Sequence, residues 1–99
     1  MKKLTYKTPI SFYESFENGL NKEFATHVVD SCLKLKDKEF KRPKKILEVD
    51  ILDTGEVFEI MLSKEDIKYT LENNLKLFEN AEEYEQCARI FKALKTMSN

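Results

Sequence analysis

The sequence predicts an α+β domain made of two N-terminal helices, a two-stranded antiparallel β-hairpin and a C-terminal antiparallel helical hairpin. Three observations carry this expectation. Apolar residues recur at helical spacing from Phe24 to Leu35 and again from Ile67 to Leu94. Between these stretches, ILEVDILDTGEVFEIML (residues 46–62) alternates with a period of two. Pro43 separates the two regimes, since it cannot continue a helix. The 99 residues make a single domain spanning positions 1–99. A chain of this length buries only about 60–65% of the surface that its unfolded form exposes. Apolar residues at 41% and charged residues at 35% describe a globular chain with enough aliphatic and aromatic side chains to fold.

The helical segment is expected over residues 11–37. SFYE at Ser11 to Glu14 has capping-box spacing, with Ser11 as N-cap and a short helix ending near Gly19. Asn21 then caps a second helix. At 100° per residue, Phe24, Ala25, Val28, Val29, Cys32 and Leu35 share one side of it, and His27, Asp30 and Lys34 the other. In the β-hairpin, a two-residue turn at Thr54-Gly55 places Asp53 opposite Glu56. It sets Ile51 against Phe58, Val49 against Ile60 and Leu47 against Leu62 on an apolar face. The other face pairs Leu52 with Val57, Asp50 with Glu59 and Glu48 with Met61. Because an isolated hairpin is marginal, its apolar face is expected to lie on Phe24, Val28 and Cys32 and on a third helix. That helix follows a second capping signal, SKED at Ser63 to Asp66, and carries a stripe of Ile67, Leu71, Leu75 and Phe78. The pattern breaks near Asn80 to Glu82 and resumes from Tyr84, so residues 64–97 form a helical hairpin.

On the last helix Tyr84, Cys87, Ala88, Ile90, Phe91 and Leu94, with Ala81, cover about half the circumference, whereas docking on one neighbour needs a stripe of only about 100°. These residues are the candidate partner-binding surface. Small residues at Cys87 and Ala88 admit another helix, and Tyr84, Ile90 and Phe91 supply anchoring area.

LENNLKLFENAEEYEQCARIFKAL, Leu71 to Leu94, resembles the UVR motif. That helical hairpin is shared by bacterial nucleotide-excision-repair subunits, some Clp chaperone ATPases and the activator of protein arginine kinase. Leu71 and Leu75 stand at its first leucine and methionine, and Tyr84-Glu85-x-Cys87-Ala88 at its Phe-Glu-x-Ala-Ala. Ile90 and Leu94 fill the later aliphatic positions. The sequence departs from the motif at Phe78-Glu79, where an Ala pair is usual, and at Phe91-Lys92, where Arg-Asp usually follows. The resemblance covers about a quarter of the chain and implies binding of another protein, often a second such hairpin, rather than catalysis. The preceding 70 residues match no family; a short, Lys- and Asn-rich single-domain chain suits a bacteriophage accessory protein.

Charge is unevenly spread. Lys34 to Lys45 holds seven basic and two acidic residues, and Ile46 to Asn99 six basic and twelve acidic. The cluster Lys34, Lys38, Lys41, Arg42, Lys44 and Lys45 either attracts nucleic-acid phosphates through counterion release or steers an acidic protein. Phe40 is its only interleaved aromatic, so it has no stacking platform for bases.

Catalysis is not expected. His27 has no Ser or Cys partner by spacing, two glycines cannot build a phosphate loop, and Cys32 and Cys87 lack zinc-site spacing and read as small apolar residues. Glu48, Asp50 and Glu59 share one face of the β-hairpin, which makes a metal-dependent enzyme the third reading, but Met61 stands where a nuclease lysine belongs. No cofactor is implied. Neither a signal peptide nor a stretch of about 20 apolar residues is present, so the expected compartment is the cytosol, without a membrane. The expected function is a small non-catalytic adaptor or regulator that binds a protein partner, or a second copy of itself, through the C-terminal hairpin.

Overall fold

The computed structural model describes residues 2–17 and 19–97. Its elements are β1 (Lys2–Tyr6), α1 (Pro9–Glu14), α2 (Lys22–Leu35), β2 (Lys44–Ile51), β3 (Glu56–Leu62), a 3-10 turn (Lys64–Asp66), α3 (Ile67–Asn80) and α4 (Tyr84–Met97). The domain is α+β, as expected, but its sheet has three strands in the order β1-β2-β3.

The added strand is β1. It pairs parallel to β2, with Leu4 beside Val49 and Tyr6 beside Ile51. Its Lys-Leu-Thr-Tyr-Lys alternation marks a strand with one apolar face. The two N-terminal helices therefore form the crossover that a parallel pair requires. Helix α1 starts earlier than expected. Thr8 is the N-cap: its Oγ1 accepts from the Ser11 N–H at 3.0 Å, and the Ser11 Oγ accepts from the Thr8 N–H at 3.0 Å. Pro9 at the first helical position supplies a preset φ. Ser11 is thus the reciprocal member of the box rather than its start. The chain leaves the helix at Ser15 and closes a small loop, with paired hydrogen bonds between Glu17 and Leu20 and Gly19 at φ +82°. Asn18, inside the expected helical segment, lies outside the described residues.

Asn21 caps α2 as expected, its Oδ1 accepting from the Phe24 N–H at 3.0 Å. It is also buried, and its Nδ2 donates to the Tyr6 hydroxyl and to the Ser15 Oγ, each at 2.8 Å. One amide thus joins β1, the end of α1 and the start of α2. Around it Tyr6, Phe12, Phe16 and Phe24 make a run of edge and tilted ring contacts 5.0–6.5 Å apart.

The β-hairpin register differs from the expected one by two residues. Ile51 faces Glu56, Val49 faces Phe58, Glu48 faces Glu59 and Leu47 faces Ile60, and Leu52 to Gly55 form a four-residue loop. The reason lies in β1. The Leu52 and Asp53 N–H groups donate to the carbonyls of Tyr6 and Lys7 at 2.9 and 3.0 Å, so this stretch follows β1 and cannot pair with β3. A slip of two keeps every side chain on its own face, because side chains alternate with a period of two. Gly55 closes the loop at φ +72°, and a bulge between Lys45 and Leu47 shifts the far end of the ladder.

One core joins Leu47 and Leu62 to Val28, Val29 and Cys32 of α2 and to Ile67, Leu71 and Phe78 of α3, with Ile90 and Ala93 of α4 behind them. Each fully buried aliphatic or aromatic side chain contributes about 1.5–3 kcal/mol. Coverage of the sheet is incomplete at β3, where Phe58, on the apolar face, remains 45% exposed. The radius of gyration is 14.2 Å, against about 13 Å for a compact chain of this size. The molecule is a flat slab measuring 46 × 34 × 16 Å. No described helix is long and apolar enough to cross a membrane.

Between α3 and α4 the chain turns through Glu82, whose φ is +58°. The Glu83 N–H donates to the Phe78 carbonyl at 2.9 Å and the Glu82 N–H to the Glu79 carbonyl at 3.0 Å, the paired bonds of a helix end that usually carries glycine at the left-handed position. We expect Glu82→Gly to stabilise the fold by about 0.5–1 kcal/mol by relieving this conformation, net of glycine's larger unfolded-state entropy. Thermal unfolding should show Tm rising by about 2–8 °C.

Candidate functional site

Helix α4 packs on α3 and on α2, and its apolar circumference divides in two. Ile90 and Ala93 point into the core, Ile90 with no exposed surface. Cys87, Leu94 and Met97 are half-buried at the margin. Tyr84 and Phe91 remain 68% and 64% exposed, with Ala88 exposed between them. At 100° per residue Tyr84, Ala88, Phe91 and Lys95 fall on one line, a second stripe beside the buried one. Of the six candidate partner-binding residues, Ile90 is therefore a core residue. Tyr84, Ala88 and Phe91 are surface, and Cys87 and Leu94 form the floor between the two sets.

This second stripe borders a shallow groove of about 790 Å³, completed by Leu75 and Glu79 of α3, with Lys92 and Lys95 at its other end. Two partly exposed ion pairs link the helices around it to α2. Arg89 Nη2 lies 2.7 Å from Asp30 Oδ1, tying α4 to α2, and Lys22 Nζ lies 2.7 Å from Glu83 Oε1, tying the α3–α4 connection to the start of α2. The Cys87 thiol at the groove floor is raised above its ordinary pKa by burial and then by the charge of Glu79, so it stays protonated at neutral pH. Burial alone pushes Cys32 up to about 12. Neither thiol has the electropositive setting that makes a nucleophile.

The cations of the basic segment differ in their pairing. Lys34, Lys38, Lys41, Arg42 and Lys44 are exposed, and no carboxylate lies in ion-pair range of them among the described residues. Lys45 borders one cavity with Lys34 and Lys44, but its ammonium is paired, 2.9 Å from Glu48 and 3.0 Å from Glu59. The segment is pinned by Lys64, whose Nζ donates to the carbonyls of Lys36 and Lys38 at 2.6 Å each. A cation at the C-terminal end of α2 complements the helix dipole. Phe40 lies beneath Lys64 and Lys44, its ring centre 5.9 and 5.8 Å from their ammonium groups. Nothing in the sequence marks Lys64 for this role, because it follows Lys38 by 26 residues and belongs to another element.

On the open sheet face, Glu48 and Glu59 stand directly opposite each other with Lys45 between them, and Lys3 of β1 reaches Glu48 at 3.4 Å. The ammonium groups fill the space a metal ion would take. Among the described residues no group of three or more His, Cys, Asp or Glu side chains is arranged to hold one. Glu48 is buried among these neighbours, and the Lys45 hydrogen bond, followed by contact with Asp50, lowers its pKa to about 2. Asp50 moves the other way. The Glu48 carboxylate and then burial raise its pKa, and its Oδ1 is buried with no hydrogen-bond partner among the described residues.

Compared with known proteins, the chain matches no family model, no curated sequence and no solved structure.

The carboxylates predict the acid limb of stability. Glu48, depressed in the folded state, contributes stability that is complete above the unfolded carboxylate range and is lost as pH falls from about 4.5 towards 2. Asp50, raised in the folded state, has the opposite sign, destabilising at neutral pH and relieved by protonation. Urea midpoints should therefore fall less steeply below pH 4.5 for Glu48→Gln than for wild type. At pH 7 the Asp50→Asn midpoint should exceed that of wild type, because an amide can donate to Glu48 where a carboxylate repels it.

Proposed function

We propose that the protein is a small non-catalytic adaptor or regulator that binds a protein partner through the outer face of the α3–α4 hairpin. One observation carries this reading: Tyr84 and Phe91, two large rings, stand exposed on either side of Ala88 on a helix that buries Ile90 and Ala93 in the core on its other side. Folding gains nothing from leaving those rings in water. Aromatic anchors beside a small residue are how a helix receives another helix or an extended apolar segment. Lys92 and Lys95 at one end of the groove favour a partner whose apolar face is followed by acidic residues. The UVR-like character of Leu71 to Leu94 supports the same reading, since hairpins of that type bind proteins.

A second reading has its own observation. Five cations of the basic segment lack a carboxylate partner among the described residues, and such an edge attracts a nucleic-acid backbone. Ionic strength separates the two. Phosphate binding weakens steeply with salt, while an apolar groove contact changes little.

Phe91→Glu tests the proposal. Because Phe91 is largely exposed, the variant should keep its circular dichroism and unfold within about 0.5 kcal/mol of wild type. Partner capture on the immobilised protein, at low and at high salt, should fall by about 30-fold or more, the effect of removing a hot-spot aromatic. Binding that survives Phe91→Glu but disappears in high salt, or in a variant with Lys41 and Arg42 replaced by Glu, assigns the function to the basic segment instead.

A further inference from the structure

We propose that the cavity enclosed by α2, α3 and β3 is a binding site for a small, uncharged, mostly apolar molecule that brings one hydrogen-bond donor. This inference is independent of the α3–α4 groove, because Thr70, Asn74 and Leu77 border the cavity from a different side of α3 than Leu75 and Glu79, which border the groove.

The helices leave space where they meet over β3. A cavity of about 320 Å³ lies there, walled by Phe24, Ala25 and Val28 of α2, Ile60 and Leu62 of β3, and Leu77 of α3. Of its lining residues only Gly19 and Met61 are exposed; the others are buried or half-buried. The space matches about ten water molecules at their share of the liquid. It stands at the lower end of the size of small-molecule sites, about 300–1,000 Å³, which are apolar with a few polar groups that fix orientation. A peptide helix is too large for it.

The polar groups come from α3. Asn74 shares the buried stripe of Ile67, Leu71 and Phe78, where an aliphatic residue would continue the core, and it is only 9% exposed. Its Nδ2 donates to the Thr70 carbonyl at 2.8 Å, but its Oδ1 accepts no hydrogen bond among the described residues. The Thr70 hydroxyl, one turn earlier, is likewise without a partner among them. Asn21, on the same wall, shows the contrast. Its Oδ1 accepts from the Phe24 N–H and its Nδ2 donates to Tyr6 and Ser15, so it has nothing left for a guest. A buried acceptor without a donor weakens a fold. Packing gives no reason for an amide at position 74, whereas a donor carried in by a ligand does. No Lys, Arg, Asp or Glu lines the cavity, so a charged guest would lose its hydration and meet no counter-charge.

Titration of the isotope-labelled whole chain with indole, n-heptanol and benzofuran, followed in two-dimensional amide spectra, tests this. Indole and n-heptanol should shift the amides of Ala25, Ile60, Thr70 and Asn74 saturably, together with the Asn74 side-chain amide. Benzofuran has the outline of indole without its N–H and should bind about three- to tenfold more weakly, the worth of one hydrogen bond. In Asn74→Leu, which fills the space and removes the acceptor, saturable shifts should vanish while Tm equals or exceeds that of wild type. The comparison of indole with benzofuran on wild type needs no variant. A cavity that holds water only, with no saturable shift from either donor, would overturn the proposal. So would indole binding no tighter than benzofuran, binding retained in Asn74→Leu, or shifts confined to the groove residues Tyr84, Ala88 and Phe91.

Discussion

The fold rests on β2, which among the described strands alone has partners along both edges. That position forces its two faces apart in chemistry. Leu47, Val49 and Ile51 are essentially removed from water on the helix side. Glu48 alternates with them on the other side, where flanking strands and long side chains also bury it. A carboxylate in such a place is costly unless paired, and Lys45 and Lys3 supply the partners. Asp50, two residues on, lacks an equivalent partner for its Oδ1 and carries the opposite pKa shift. The open face of the sheet is therefore a cluster in which Glu48 and Glu59 are paired with lysines and Asp50 is left without an equivalent partner.

From β2 outward, the geometry follows from having few residues with which to cover a sheet. Helix α2 packs on β2, α3 packs on α2, and α4 packs on both helices at the far end. The result is a slab 16 Å thick, with more perimeter than a compact domain of the same length. Apolar surface is left on the outer stripe of α4 and on β3, and also at Ile10 and Tyr13 of α1, at Leu52 and at Tyr69 of α3. Bonds across elements hold the frame, among them Asn21 to Tyr6 and Ser15, Arg89 to Asp30, and Lys64 to the end of α2.

Local signals in the sequence were sufficient where one element decides its own form. Asn21 as a cap, the inward side of α2 and the α3 stripe all follow from spacing and capping chemistry. The sequence misled where two elements compete. Ser11-x-x-Glu14 and Thr8-Pro9-x-Ser11 are overlapping capping signals, and proline at the first helical position favours the earlier one. The β-hairpin register could not be read without β1, because what removes Leu52 and Asp53 from β3 is their bonding to Tyr6 and Lys7. On α4, periodicity gave the total apolar width but not its division: Ile90 and Phe91 are equally hydrophobic neighbours in sequence, and only the positions of α2 and α3 decide which is core.

That division bears on what the outer face of the hairpin can bind. Phe91 lies at the exposed edge of the groove rather than in the core, so its side chain shapes the surface and leaves the packing of the hairpin alone. A phenylalanine beside Ala88 favours a partner that fills a recess with apolar volume, with Lys92 and Lys95 left to orient it. Under the proposed function, the contact at this face rests on desolvation more than on charge pairing. Such a contact is more tolerant of sequence in the partner and less sensitive to salt.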